Sequence, residues 1–359
     1  MADTPRTGQY AARPTLRVDG QAQNELTANL LQSVMVEETT RGLFRCEASF
    51  RNWGPKNTDS DFLLFDGTLL DFGKTFSVEF GPPSVAGPLF AGRIMGMEAN
   101  YPQQKPPELL ILAEDRFQDL RMERRTRSFA DVTDADVFRR IAGQHGLTPQ
   151  IDVDGPQYRA LAQVNQSDLA FLRERAAAID AQIWVDNRTL YAQARSRRKT
   201  SEVTLLYQSN LLEFSVLADL AHQRTSVKVC GWDVGNKEAI EETADKSVLG
   251  AELEGLHGGS EILGRALASR IERIATGVPL SKDEAQAMAK ARYRERARRF
   301  VTGTGLANGE PKLRVGTLVT LQGLGTPFNG KYYVTRARHT YDQTSGYRTD
   351  FDVERAGTG

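Results

Sequence analysis

The stretch from residue 158 to residue 193 constrains the fold of this chain most, because its residue pattern changes twice from one element type to another. It predicts a strand, then a capped helix, then a hairpin. The Ser167 hydroxyl is placed to cap the helix N-terminus, and the Asp168 carboxylate adds negative charge to the first turn. Apolar residues at helical spacing then predict one packed face: Leu169, Phe171, Leu172, Ala176 and Ile179.

Residue types also predict how this helix ends and where the hairpin turns. Asp180 is expected to end the helix in the left-handed backbone conformation, which Asp tolerates at a modest cost relative to Gly. The hairpin turn is expected at residues 186–188, where Asp and Asn again tolerate that conformation. The opposite face of the helix is expected to contact water: Arg173, Glu174 and Arg175.

The composition limits what the chain is expected to bind. Its 46 Lys and Arg residues balance 46 Asp and Glu residues, so neither nucleic acid nor an acidic membrane is an expected partner. No segment approaches the roughly 20 apolar residues that span a bilayer, so direct membrane insertion is not expected either. Cys46 and Cys230 are predicted to be reduced core thiols. The chain is expected to be made as a soluble cytoplasmic protein.

Strand and helix patterns predict how the chain is divided into domains. The predicted parts are a flexible N-terminus (1–13), a first β-barrel domain (14–115), an inserted α+β domain (116–200 plus 240–305), a second β-barrel domain (201–239 plus 306–355) and a tail (356–359). The long hairpins at residues 89–113 and 332–353 resemble each other in pattern, which indicates a repeat of the β domain.

Three further helices are predicted in the inserted domain. Thr133 opens a capped helix that ends before Gly146. An apolar stripe from Leu263 to Ile274 predicts a second helix. A third helix is predicted at residues 281–300, with small and aromatic residues on one face and arginines on the other. The arginine face is expected to be solvated or to contact a protein partner.

Residues 163–172 resemble the Gln-x-Asn-x-Ser-Asp-x-x-Phe-Leu signature of the late control protein D and VgrG family, the hub proteins of contractile phage tails and related injection machines. The matching residues are Gln163, Asn165, Ser167, Asp168, Phe171 and Leu172. Weaker matches follow in the family's order at Gly231, Trp232, Asp233, Gly330, Tyr333, His339, Gly346 and Tyr347. The family usually has Gly where Asp180 stands. The resemblance covers roughly the whole chain after Arg13.

This resemblance implies a fold and a role. The fold is expected to be α+β and mainly β, with two similar barrel-like domains and an inserted α+β domain. Three subunits are expected to form a homotrimeric ring, the baseplate hub, which would adapt the sixfold tail tube to the threefold spike. The first barrel domain is expected to dock on the tube. No enzymatic activity and no cofactor are implied.

The resemblance also implies protein partners. They are a tail tube or tube-initiator protein above the ring, a separate spike protein below it, and possible contacts with baseplate wedge proteins. Because larger relatives carry a needle after the hub and this sequence stops at Gly359, the spike tip is expected on another polypeptide. The expected location is a phage-like tail or injection particle assembled in the cytoplasm.

Several patterns are weighed as chemical sites. Residues 325–331 fit Gly-x-x-x-x-Gly-Lys, but Tyr332 stands where a phosphate-binding loop needs Ser or Thr, and a strand pattern follows. The four histidines are isolated in sequence and form no His-x-x-x-His pair. Four acids are interpreted as surface residues, although a glycosidase pair among them stays open: Asp59, Asp61, Asp66 and Asp71. The alternative functions are therefore a tail-associated cell-wall hydrolase or carbohydrate-binding module.

Overall fold

The computed structural model describes residues 13–56, 58–81, 88–198, 200–276 and 279–359. Apart from Arg13, the predicted flexible N-terminus lies outside the described residues. Strands make up 48% of the chain and helices 21%, which confirms the prediction of a mainly β fold. Among the described residues, no helix is long and apolar enough to cross a membrane.

Strands come first, and the first α-helix of the described residues begins at Phe117. The strands of the first part are β1 (Thr15–Val18), β2 (Gln21–Ala22), β3 (Leu31–Thr39), β4 (Arg45–Arg51), β5 (Gly54–Lys56), β6 (Asp59–Asp61), β7 (Thr75–Glu79), β8 (Phe90–Asn100) and β9 (Glu108–Glu114). The middle part contains α1 (Phe117–Arg121), β10 (Arg124–Val132), α2 (Asp134–Gln144), β11 (Thr148–Asp152), β12 (Tyr158–Ser167), α3 (Asp168–Ala178), β13 (Ala181–Asp186) and β14 (Thr189–Ala194).

The remaining elements are mostly strands, with two helices between them. They are β15 (Glu202–Leu206), β16 (Leu211–Ala218), β17 (Ser226–Asp233), β18 (Glu238–Asp245), β19 (His257–Gly258), α4 (Gly259–Leu267), β20 (Ile271–Ile274), α5 (Lys282–Arg298), β21 (Val301–Asn308), β22 (Leu318–Gln322), β23 (Gly330–Asp342), β24 (Gly346–Arg355) and β25 (Gly357–Thr358). Short helical turns occur at Leu26–Leu30, Arg195–Arg197 and Lys246–Leu253.

One curled sheet of thirteen strands dominates the fold. Eleven of its strands follow the order β16-β21-β24-β23-β3-β4-β9-β8-β7-β1-β2, with β22 also beside β23 and β15 beside β22. The strand groups that the sequence assigns to two barrels are therefore joined in one sheet. The join is the antiparallel pairing of β3 with β23, which we call the seam.

Small sheets carry the middle of the chain. β10 pairs with β12, β14 lies between β11 and β13, and β17 lies between β18 and β20. Helix α5 packs its apolar face on β17 and β18. Two strands depart from the predicted division: β17 lies within the predicted second barrel but belongs to a small sheet, and β21, which crosses the predicted boundary at residue 305, lies in the main sheet between β16 and β24. The division into domains as a whole stays a prediction.

Several predicted helix ends are confirmed by backbone and side-chain geometry. The Thr133 hydroxyl accepts a hydrogen bond from the N–H of Asp136, whose carboxylate accepts one in return from the N–H of Thr133 at 3.0 Å. Ser167 Oγ accepts from the N–H of Ala170 at 3.2 Å. Asp180 has a φ of 56°, the left-handed conformation expected at the end of α3. Local sequence therefore determines where α2 and α3 begin and where α3 ends.

Two helix predictions are wrong in part. Arg175 is buried rather than facing water, because its guanidinium donates a 2.7 Å hydrogen bond to the buried Asp134 carboxylate. The stripe at residues 263–274 is not one helix. Ala268 has a φ of 59°, which ends α4, and Ile271 begins a strand that pairs in parallel with β17. Periodicity alone does not separate so short a strand from a helix.

Apolar side chains form four buried clusters, one for each half of the main sheet, one in the middle part and one between α5 and its small sheet. Cys46 is buried in the first cluster, as predicted, and burial raises the pKa of its thiol. The prediction of a core thiol is wrong for Cys230, which is half-buried in β17. Its side chain contacts Arg273 on the neighbouring strand.

Candidate functional site

Asp168 is the centre of a polar cluster that joins four elements of the middle part. It is the first residue of α3, and its side chain is 2% exposed. Its carboxylate accepts hydrogen bonds from Arg127 in β10 at 2.6 Å and from Gln163 in β12 at 2.9 Å. The ring Nε2 of His145, the residue that follows α2, lies 2.8 Å from the second carboxylate oxygen. The cluster therefore ties β10, β12, α2 and α3 together.

The charge on Asp168 is fixed by the same contacts. Burial alone would raise the pKa of Asp168, but hydrogen bonds from His145 and Gln163 and the charge of Arg127 hold that pKa below its usual value. The carboxylate is thus ionised at neutral pH, at a helix N-terminus that favours negative charge. A carboxylate whose partners are all supplied by the protein suits a structural junction better than acid–base chemistry.

The remaining signature residues occupy different environments. Phe171 and Leu172 are buried in the middle cluster, where Phe171 stacks with Phe129 at 5.7 Å between ring centroids. Asn165 is exposed and has a φ of 48°, so it forms a left-handed bend near the end of β12. The structure therefore brings Gln163, Ser167 and Asp168 together at the strand-to-helix turn. The signature specifies this turn and the core beneath it.

The second group of family-motif residues lies at the end of β17. A Cβ atom at Gly231 would lie 2.5 Å from the carbonyl oxygen of Pro279, so the close approach of these two backbone segments requires Gly. The Asp233 carboxylate accepts a hydrogen bond from the N–H of Gly235 at 2.9 Å, which closes the turn before β18. Trp232 is exposed on this strand. These residues belong to a different sheet from the Asp168 cluster.

The third group lies on the hairpin of β23 and β24. Gly330 and Gly346 have φ values of 124° and 68°, at the start of β23 and at the turn. The Tyr333 hydroxyl donates a 2.7 Å hydrogen bond to the side-chain oxygen of Gln182 in β13, so the hairpin is attached to the middle part. His339 and Tyr347 lie further along the hairpin, at the seam.

His339 is buried opposite Val36 of β3 in the seam. Its Nδ1 lies 2.9 Å from the Tyr347 hydroxyl oxygen, and Tyr347 in turn stacks on Phe80 at 4.0 Å between ring centroids. Burial and the positive charge of Arg314 lower the pKa of His339 to about 3, so the ring is neutral at physiological pH. His339 is therefore a packed residue between the two halves of the main sheet.

A buried ion pair, which the sequence analysis did not single out, also crosses the seam. The Glu38 carboxylate in β3 accepts a 2.6 Å hydrogen bond from Arg314 Nε. Glu38 is buried, and Arg314 also donates to the Leu89 carbonyl at 3.2 Å. The only sequence signal was a Glu at a position of β3 whose neighbours Val34 and Val36 face the core.

The strand pairing of the first part recurs in the last part of the chain. We call β3, β4, β9, β8 and β7 the first β unit, and β16, β21, β24, β23 and β22 the second β unit. In this order, neighbouring strands pair antiparallel in both units. Arg93 pairs with Glu114 in the first β unit, and Tyr333 pairs with Glu354 in the second, each residue lying 240 positions after its counterpart. The predicted repeat of two long hairpins is therefore present.

The two β units also have their bulges in the same places. The bulge between Ile94 and Gly96 in β8 corresponds to the bulge between Val334 and Arg336 in β23. The bulge between Leu31 and Ser33 in β3 corresponds to the bulge between Leu211 and Glu213 in β16. A bulge adds one residue to one strand, and ordinary hairpin geometry does not require it at a given position. The units differ at the next strand, because β1 is antiparallel to β7 whereas β15 is parallel to β22.

The chemical patterns have local structural roles in the described chain. Residues 325–331 lead directly into β23, so no helix N-terminus follows the Gly-x-x-x-x-Gly-Lys stretch. Three of the four acids accept hydrogen bonds from residues one or two positions away: Asp61, Asp66 and Asp71. Among the described residues, no three His, Cys, Asp or Glu side chains are grouped to hold a metal ion.

The arginines of α5 are mostly paired within the chain. Arg298 is buried between Asp180 and Glu252 and donates hydrogen bonds to both carboxylates. Burial alone would lower the pKa of Arg298, but these two carboxylates raise it. Arg296 pairs with Glu272 from β20. The expectation of a solvated arginine face is therefore wrong for Arg298, which fixes α5 to the middle part.

Comparison with solved structures defines the class of the fold, that of phage tail proteins. The 43 kDa tail protein of prophage MuSo2 from Shewanella oneidensis has a TM-score of 0.69 at 12% identity, over 96% of this chain and 98% of that one. An Escherichia coli protein described as a type VI secretion system component similar to the T4 tail proteins gp27 and gp5 has a TM-score of 0.58 at 12% identity, over 95% and 76%. A Francisella PdpA–VgrG complex contains a chain with a TM-score of 0.54 at 8% identity, over 96% and 58%.

These matches confirm the expected resemblance to phage tail and VgrG-type proteins. The chain belongs to the family described as the Alg8 N-terminal domain, whose model matches residues 14–343. No curated protein sequence matches the chain.

Proposed function

We propose that this chain is the structural baseplate hub of a contractile injection system or phage-like tail, and that three copies form a ring. The observation that carries the proposal is the repeat of the first β unit in the second, strand by strand and bulge by bulge. A trimer of such chains presents six similar β units around one axis. It therefore offers a sixfold tube six near-equivalent contacts, while the remaining surface repeats only three times.

The role proposed for the ring is mechanical. The tail tube or its initiator protein binds the rim formed by the β units, a spike protein binds the opposite side, and wedge proteins contact the periphery. The subunit then transmits force between the tube and the spike and catalyses no reaction. The seam and the Asp168 cluster suit this role, because both bury charged groups with complete partners between separate elements.

Two features support a structural role over the alternative hydrolase. Three of the four acids weighed as a glycosidase pair, Asp61, Asp66 and Asp71, accept hydrogen bonds from neighbouring backbone N–H groups, and the relatives by fold are structural tail proteins. The chain is expected to hydrolyse no peptidoglycan, and Asp66→Asn and Asp71→Asn variants are expected to match the unaltered chain in that assay.

The proposal is tested by co-expressing the chain with a candidate spike protein from the same genome and measuring the mass of the purified complex. The expected complex contains three copies of each chain. A chain that stays monomeric at all concentrations, with and without the spike protein, contradicts the proposal.

A further inference from the structure

The two β units differ in which of their edges are covered. In the second β unit, β23 pairs with β22 up to Tyr333, and from Arg336 onward the same edge pairs with β3. In the first β unit, β8 pairs with β7 up to Arg93. Beyond Ile94 that edge of β8 has no neighbouring strand in the described chain. The edge of β16 that corresponds to the seam edge of β3 is also without a neighbour there.

We propose that β16 of one subunit pairs antiparallel with residues 96–100 of β8 and with the following Tyr101 in the next subunit, in the register of the seam. This inference rests on the proposed homotrimer and specifies its interface. Each residue of β16 corresponds to the β3 residue whose number is lower by 180. Each residue of β8 corresponds to the β23 residue whose number is higher by 240. The seam pairs Arg338 with Glu37, so the subunit interface pairs Glu98 with Leu217 of the partner subunit.

Side-chain exposure supports this assignment, because residues buried at the seam have exposed counterparts in the first β unit. Tyr341 is 8% exposed opposite Val34 in the seam. Its counterpart Tyr101, also a tyrosine, is 64% exposed. In the proposed register Tyr101 lies opposite Phe214 of the partner subunit, the counterpart of Val34. An aromatic pair would then replace the contact of Tyr341 with Val34.

Phe72 gives a second and independent comparison. Gly73 donates its N–H to the Ile94 carbonyl, and Gly316 donates to Val334 in the same way, so Phe72 corresponds to Val315. Val315 is 0% exposed beside Glu38 in the seam, whereas Phe72 is 63% exposed.

The residue sizes at this position are complementary. In the proposed register, Ala218 of the partner subunit takes the place of Glu38. At the proposed interface the smaller Ala218 of the partner subunit leaves room for the larger Phe72. At the seam, the larger Glu38 lies beside the smaller Val315.

A groove beside Phe72 provides space for the chain that follows β16 in the partner subunit. It has a volume of about 510 Å³ and is lined by Phe72, Met95, Met122 and His145, among others. At the seam, the N–H of Thr40 after β3 bonds to the Thr335 carbonyl at 3.1 Å. The corresponding bond joins the N–H of Leu220 of the partner subunit to the Met95 carbonyl, which places Leu220 at this groove.

The two edges lie on different parts of the subunit, so the contact is head-to-tail. Such a contact repeats until the rotation closes into a ring. Around the ring, the seam within each chain then alternates with the proposed β16–β8 pairing between chains. The six β units thereby form one continuous curled sheet.

The test is an engineered disulfide across the proposed pair. Glu98→Cys and Leu217→Cys are combined in a Cys230→Ser background, and the full-length chain is oxidised and separated by size under denaturing conditions. Both residues are exposed, so the variant is expected to fold. Directly opposed residues have Cα atoms about 4.5–5.5 Å apart, within the range a disulfide bridges. The expected product is a ladder that ends at a covalent trimer.

The matched control moves one cysteine two residues along the same face of β16. Glu98→Cys with Ser215→Cys is expected to form at least tenfold less cross-linked product, because diagonal Cα atoms are about 7–8 Å apart. Stronger cross-linking of this control overturns the register. A chain that is trimeric by mass but cross-links in neither variant overturns the edge pairing and leaves the proposed hub intact. A chain that is monomeric by mass overturns both, and a ladder that continues beyond three supports the pairing and overturns the ring of three.

Discussion

Arg314 holds the Glu38 carboxylate across the seam, although the two residues are 276 positions apart in sequence. The pair lies at the only strand contact that joins the two β units in the described chain. Positioning the first β unit against the second therefore depends on a buried charge and on neighbours such as His339 and Tyr347.

Replacing Glu38 by Ala is expected to lower the free energy of unfolding by about 3–5 kcal/mol, because the guanidinium of Arg314 loses its buried partner. The double variant Glu38→Leu with Arg314→Met is expected to recover most of that loss. Urea unfolding of the full chain measures both effects. The control is Glu37→Ala on the opposite face of β3, with an expected loss below about 1 kcal/mol. Equal losses for Glu37→Ala and Glu38→Ala contradict the role given to the ion pair.

The Asp168 cluster gives a second prediction. Asp168→Asn is expected to destabilise the chain by about 1.5–3 kcal/mol, the range for lost hydrogen bonds to a charged group. Because the pKa of Asp168 is lowered in the folded chain, its contribution is present above the ordinary carboxyl pKa and is lost as the pH falls through the folded value. The difference between the two proteins is therefore expected to shrink below about pH 4.

The control for this measurement is Glu174→Gln on the exposed side of α3. Its carboxylate bonds to the side chain of Gln166 at the surface, and the expected change is within about 0.5 kcal/mol. A loss that stays constant from pH 7 to about pH 3 argues against an ionised Asp168 as the source of stability.

His339 makes the stability of the seam depend on pH. The unfolded chain protonates this ring below about pH 6.5, whereas the folded chain does so only near a pKa of about 3. The unfolded state thus binds more protons between these values, so the stability falls as the pH is lowered, by up to about 1.4 kcal/mol per pH unit. His339→Gln is expected to remove that part of the slope, measured by urea unfolding at a series of pH values. The exposed His222→Gln variant should retain it, and equal slopes in the two variants contradict the assignment.

Phe72 tests the proposed subunit contact without disturbing the core. Phe72→Ser is expected to leave the free energy of unfolding of the isolated chain nearly unchanged and to weaken self-association at least tenfold, as the loss of a buried aromatic anchor does. Sedimentation at a series of concentrations measures the association. Val234→Ser, at an equally exposed apolar position outside the proposed contact, should associate like the unaltered chain. Normal association of Phe72→Ser argues against this contact.

Local features of the fold were predictable from the sequence, whereas long-range ones were not. Thr133 and Ser167 cap helices through residues three positions away, so the information needed is contiguous. The partner of Glu38 lies almost a whole chain length away, and no local pattern identifies Arg314. The apolar spacing predicts a helix at Ile271, whereas the strand that forms there depends on its parallel pairing with β17, a tertiary contact that local sequence does not specify. The family signature contains Asp168 and Gln163, but it does not contain Arg127 and His145, which only the packing of β10 and α2 brings to the Asp168 carboxylate.

The central claim is that three chains, each with two similar β units, form one ring. The most direct measurement is a cryo-electron microscopy map of the chain bound to its spike partner. We predict threefold symmetry overall, with six similar β units joined in one continuous curled sheet at one rim, in which the seam of each subunit alternates with the pairing of β16 and β8 between subunits. A map with another number of subunits, or one in which the first and second β units do not surround a common channel, contradicts the account.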